Sequence, residues 1–230
     1  MSSLQPQDPE GTTQSGSSEI SEPTNPLPFW SFLALLIVVQ LLDILISKRV
    51  SLGPAAQEQV QIDIIATGEK IADAALFVAL GIALIAKAVR ARPKIVIASL
   101  VLFLSVATLN LLANVIALVA TAELQQVERL SLLWDVGLVY LATVLVFGAW
   151  YRVLDAELPG GAFEFPVDPE RPQRSPGWVD YIFISFNANA TFGPTSEVVH
   201  SRTAKVLMMI QTLMSLLVLV VLLARISGLT

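Results

Sequence analysis

Between Asn187 and His200 the chain gathers Asn187, Asn189, Thr191, the run Phe192-Gly193-Pro194-Thr195, Glu197 and His200. They follow an aromatic stretch beginning at Trp178 and precede an unbroken apolar run beginning at Val206. Side-chain amides and hydroxyls bind through hydrogen bonds, so Asn187, Asn189 and Thr191 could line an aqueous vestibule. The same groups could instead satisfy the exposed backbone of a tight turn by local hydrogen bonds. Glu197 and His200 could attract cations to a mouth or respond to pH, or form a solvated loop. Bond-making chemistry has little to work with. The chain has no cysteine and one histidine, which excludes thiolate sites and histidine metal clusters within one chain. No nucleophile elbow, phosphate-cradling glycine loop or carboxylate–histidine metal spacing is present. The expectation is a protein that is not an enzyme and uses no metal or cofactor.

The elements that must carry these residues follow from composition. Of 230 residues, 54% are hydrophobic and 14% charged, where a soluble domain has roughly a quarter charged. The apolar residues fall in long runs, which need lipid rather than a water-facing stripe. Residues 1–28 are Ser, Gln, Glu, Pro, Gly and Thr with little to bury, and read as a disordered tail. With no Lys or Arg before Lys48, that tail does not read as a signal peptide. Apolar runs at 29–46, 71–89, 95–122, 130–151 and 206–224 predict five membrane-spanning helices. The second has an amphipathic lead-in with Val60, Ile62, Ile64 and Ile65, which would lie on the interface or extend the helix. Residues 29–156 thus form a four-helix region. Residues 157–177 carry five prolines and three glycines, the mark of a loop, and its 21 residues are expected to be mobile apart from Phe163 and Phe165. The fold class is an all-α polytopic membrane bundle, with the last helix in the segment 178–230.

Before that last helix, 178–192 would reach about 22 Å as a helix, short of the roughly 30 Å hydrocarbon core. Irregular backbone at membrane depth needs protein or a water-filled cavity around it, so a half-helix turning back at Gly193-Pro194 reads as a re-entrant segment. The order "DYIFISF", "NATFGPTSE", "SRTAKVLMMIQTLMSLLVLVVLLARISGL" resembles the pore module of two-helix potassium channels. That resemblance puts Thr191, Phe192, Gly193, Pro194 and Thr195 at the filter positions of Thr-Val-Gly-Tyr-Gly and makes them pore candidates with Asn187 and Asn189. Pro194 fixes φ and removes a donor, and Thr195 replaces the second glycine, which argues against potassium selectivity. The chain also resembles a family of uncharacterised bacterial integral membrane proteins through Leu52-Gly53-Pro54, Trp150-Tyr151 with Leu154-Asp155, Phe192-Gly193-Pro194-Thr195 and Ser201-Arg202-Thr203-Ala204-Lys205. This resemblance implies a membrane location and a channel-like tail, and no known activity.

The expected function is an ion channel or pore of altered selectivity; the alternative is a non-conducting membrane scaffold. A pore would require several copies, most simply a homotetramer, because one chain supplies one loop. The expected partners are membrane lipids and further copies of the chain. Nucleic acid is excluded for want of a basic patch. If the helices alternate, Lys87, Arg90, Arg92, Lys94, Arg152, Arg171, Arg174, Arg202 and Lys205 share one side, which puts that side and the N-terminus in the cytoplasm of an inner-membrane protein, whereas the first helix alone, with an acidic tail before it and Lys48-Arg49 after it, argues the reverse. Asp43 reads as close enough to a helix end to snorkel. Asn110 and Asn114 read as interhelical contacts, Asp73 and Asp135 as structural, and Trp150 and Tyr151 as an interfacial belt.

Overall fold

The computed structural model describes residues 29–51, 59–89, 92–120, 129–166, 175–190 and 196–227. They form six helices: α1 (Phe29–Ser51), α2 (Gln59–Ala88), α3 (Pro93–Ala120), α4 (Arg129–Glu157), α5 (Trp178–Asn189) and α6 (Arg202–Ser227). A two-residue antiparallel pair joins β1 (Phe163–Glu164) to β2 (Val198–Val199), with Phe163 opposite Val199 and Glu164 opposite Val198. Four helices, α1, α3, α4 and α6, contain stretches long and apolar enough to cross a membrane. The fold is all-helical and compatible with a multi-pass membrane protein. The amphipathic lead-in extends a helix, since α2 runs unbroken from Gln59 to Ala88.

These helices are apolar outside as well as inside. Leu41, Val78, Ile85, Leu109, Met209 and Leu213 are all more than 60% exposed. A helix that is hydrophobic all round suits a membrane or the core of a large protein, not a water-facing surface. Inside, one apolar cluster joins Phe32, Leu36 and Val39 of α1 to Leu76, Ala79 and Ala83 of α2, Leu100, Phe103 and Leu104 of α3, and Val146, Ala149 and Val153 of α4. The other joins Ile46 of α1, Leu111 and Val115 of α3, and Val139, Ala142 and Phe147 of α4 to Tyr181 and Ile184 of α5 and Met214 and Val218 of α6. Helix α4 contributes to both and is the central helix of the bundle. Its small residues permit close approach. A Cβ added at Gly148 would lie 3.4 Å from the Ile182 Cα, so α5 packs directly on the α4 backbone.

After α4 the chain does not run free. Gly160 and Gly161 adopt φ of +80° and +78°, a left-handed turn that glycine makes without steric cost. Asp155 Oδ1 then accepts the backbone N–H groups of Ala162 at 2.7 Å and Phe163 at 3.1 Å. Phe163 is buried against Tyr151 and Tyr181, and Phe165 stacks edge-on to Tyr181 at 5.5 Å. The expectation of a mobile loop fails for 158–166, because those two phenylalanines bring enough apolar surface to hold it down. The proline-rich remainder at 167–174 lies outside the described residues, as do the tail at 1–28 and Leu52-Gly53-Pro54.

Candidate functional site

The short helix α5 starts where prolines and glycine end the loop. Asp180, in its first turn, accepts the Gly177 N–H at 2.6 Å, one half of a capping box and a favourable charge at a helix N-terminus. Trp178 donates its indole N–H to Ser31 Oγ at 2.9 Å and packs on Phe32 with ring centroids 5.2 Å apart. The start of α5 therefore lies level with the start of α1. Tyr181 donates to Asp155 Oδ2 at 2.5 Å, and the buried Arg152 guanidinium stands 5.3 Å from the Tyr181 ring centroid. These contacts tie the head of α5 to the end of α4.

Deeper in the bundle the contacts become a polar chain across three helices. Ser185 donates to the Val144 carbonyl at 2.8 Å. Gln211 of α6, fully buried, donates to the Ser185 carbonyl at 2.8 Å and to Ser185 Oγ at 2.9 Å. Its Oε1 accepts Tyr151 Oη–H from α4 at 2.6 Å. Thr212 donates to the Ala188 carbonyl at 3.3 Å. At the far end of α5, Ser215 donates to Asn189 Oδ1. With 12 residues, α5 is about 18 Å long, and Ser215 lies about 20 Å along α6 from Arg202. The end of α5 is thus at mid-length of α6. By Val198 the chain is back beside β1, at the end of the bundle where α5 began.

The residues expected to form a site are distributed unevenly. Asn187 and Asn189 are both buried on α5. Asn189 is engaged with Ser215, whereas Asn187 Nδ2 is buried without a hydrogen-bond partner among the described residues. Thr191, Phe192, Gly193, Pro194 and Thr195 lie outside the described residues. Glu197 Oε1 accepts Ser196 Oγ–H at 2.9 Å. His200 turns instead to Glu164, with Nε2 2.8 Å from Oε2, both side chains being more than half exposed. Glu164 is a partner that sequence reasoning missed, because a strand pairing across 36 residues leaves no local signal. Between α5, β2 and α6 lies an open groove of about 540 Å³, lined by Ala188, Val199, Lys205, Met208, Met209, Thr212 and Leu213.

Two other expectations change. Tyr151 is fully buried on Gln211 and Phe163, and Trp150 donates to Thr108 Oγ1 at 3.0 Å. The pair is not an interfacial belt, because each polar tip finds an interhelical acceptor. Asp43 does not snorkel. It is 7% exposed, held by Asn110 Nδ2 at 2.6 Å to Oδ2 and Asn114 Nδ2 at 3.4 Å to Oδ1. Asp43 is about 21 Å along α1 from Phe29, within the stretch Phe29–Lys48 that is long and apolar enough to cross a membrane. At the centre of a membrane a charged side chain would cost at least about 2.5 kcal/mol unless compensated, and the two amides supply hydrogen bonds to the carboxylate. Asn110 and Asn114 are interhelical contacts as expected, but to a carboxylate. No protein-family model matches the chain, and no curated protein or solved structure is found to match it.

Proposed function

We propose that the chain crosses the membrane five times, that α5 dips into the membrane and returns, and that the protein is one subunit of an oligomeric pore that does not select potassium. The observation that carries this reading is the position of the two ends of α5: Trp178 beside Ser31 at the start of α1, and Asn189 beside Ser215 halfway along α6. A helix of about 18 Å cannot cross the hydrocarbon core. Its depth is supported by polar partners along its length from α4 and α6, the protein surroundings that a membrane-buried helix end needs. The fifth span is supported by direction. Helices α1 and α3 run parallel, since Phe32 and Leu36 share a cluster with Leu100 and Phe103, while Ile46 shares one with Leu111 and Val115. Helix α2, between them, must return through the same thickness.

Lys87, Arg92, Lys94, Arg152, Arg202 and Lys205 fall at the end of the bundle from which α5 enters, so the positive-inside rule makes that end, and the N-terminus, cytoplasmic in an inner membrane. In a tetramer the groove beside Ala188 and Leu213 faces the neighbouring subunit, and Asn187 approaches the axis. Flux through purified protein in liposomes tests the reading. Ion flux lost in well-folded Asn187→Leu and Gly193→Val variants supports it; absence of flux from a well-folded oligomer rejects it. A second reading, a non-conducting membrane scaffold, is favoured by the engagement of Ser185, Asn189 and Gln211 within a single chain, and that second outcome would select it.

A further inference from the structure

We propose that the buried cluster around Asp43 in the four-helix region is a binding site for a hard monovalent cation such as sodium or potassium. Gln40 and Ser47 stand three residues before and four after Asp43, so the three side chains share one stripe of α1. Gln40 is 3% exposed and Ser47 7%. Neither Oε1 nor Nε2 of Gln40, nor Oγ of Ser47, has a hydrogen-bond partner among the described residues. Polar groups buried at this depth lose their water bonds and are retained where something replaces them. Across the helix interface Asn110 and Asn114 converge on the same carboxylate. The donors available are a carboxylate, a hydroxyl and three side-chain amide oxygens, a set of oxygen ligands that suits hard cations. Half a turn of an amide about its last torsion exchanges its N–H donors for its carbonyl oxygen. The groups that donate to Asp43 can therefore face a cation while Gln40 Nε2 takes over as donor. A single carboxylate matches one positive charge, whereas calcium sites combine several charged oxygens.

The site stands on side chains of α1 and α3, and its test reads stability rather than flux, so it is independent of whether the protein conducts. Full-length protein in detergent is melted in rising sodium or potassium chloride, with ionic strength held constant by choline chloride. A bound cation raises the midpoint in proportion to the logarithm of its concentration once the site begins to fill. The expected result is an alkali-specific rise in wild type that Asp43→Asn abolishes. Gln40→Leu, which keeps the carboxylate, should move the onset to about tenfold higher concentration, the scale of loss when one supporting group is removed from a metal site. Equal midpoints in sodium, potassium and choline overturn the proposal. A rise undiminished in Gln40→Leu also overturns it, and that variant decides the matter should Asp43→Asn fail to fold.

Discussion

Tyr151 on α4 donates its hydroxyl to Gln211 on α6 at 2.6 Å, and the other end of the same Gln211 amide holds the Ser185 backbone of α5 at 2.8 Å. One side chain thereby couples the central helix, the short helix and the last helix. Tyr151→Phe leaves Gln211 Oε1 buried without its donor, for which a loss of about 1–3 kcal/mol is the protein-interior expectation. Double-mutant cycles in membrane bundles average about 0.6 and reach about 1.7 kcal/mol, so a loss of about 1–2 kcal/mol is expected here. In a denaturation series, Tyr151→Phe combined with Gln211→Leu should cost less than the sum of the two single changes. Strict additivity would mean that the bond contributes nothing.

Gly148 is the close point between α4 and α5. Alanine there meets the Ile182 backbone at 3.4 Å, tight but tolerable, and should cost under about 1 kcal/mol. Leucine has nowhere to go and should destabilise by about 1–3 kcal/mol or more, as overpacking does. Thermal melts of the two variants, with size-exclusion profiles, check the contrast; equal melting would place α5 elsewhere.

The path of α5 predicts which faces are accessible. Gly177→Cys and His200→Cys should label from the same side of the membrane, and Lys94→Cys should join them. If the first two react from opposite sides, 178–199 is a span and not a dip. Labelling of all three from outside the cell would preserve the path but invert the orientation.

His200 and Glu164 pair at 2.8 Å on the surface. An exposed side-chain contact of this kind contributes about 0–1 kcal/mol, so His200→Ala should shift the midpoint by only a few degrees and leave the β1–β2 pairing intact. A large loss would show that His200 has a further, buried role.

Limited proteolysis tests the packing of 158–166. Wild type should resist cleavage there, because Phe163 is buried and Asp155 holds two backbone N–H groups. Phe163→Ser should open the segment to cleavage at Phe165; unchanged resistance would mean that the Asp155 contacts suffice.

Runs of apolar residues are a one-dimensional property, and for that reason the sequence by itself determined that the fold is helical and, within a residue or a few, where α1, α3, α4 and α6 begin. The shortness of α5 was legible in the same way, from the fifteen residues 178–192 between prolines and Gly193-Pro194, although the helix itself is shorter still, at 12 residues. Partnership was not, because a membrane helix that is apolar all round carries no stripe to say which face turns inward. Tyr151 and Trp150 carry the same composition signal whether they sit at an interface or in the core. Only the packing of α4 against α3 and α6 decided for Thr108 and Gln211. Asp43 looked near enough to a helix end to reach water; Asn110 and Asn114, 67 and 71 residues further on, decided otherwise. Tertiary structure settles such matters because a buried polar group must find its partner wherever the fold brings one, and sequence distance carries no record of it.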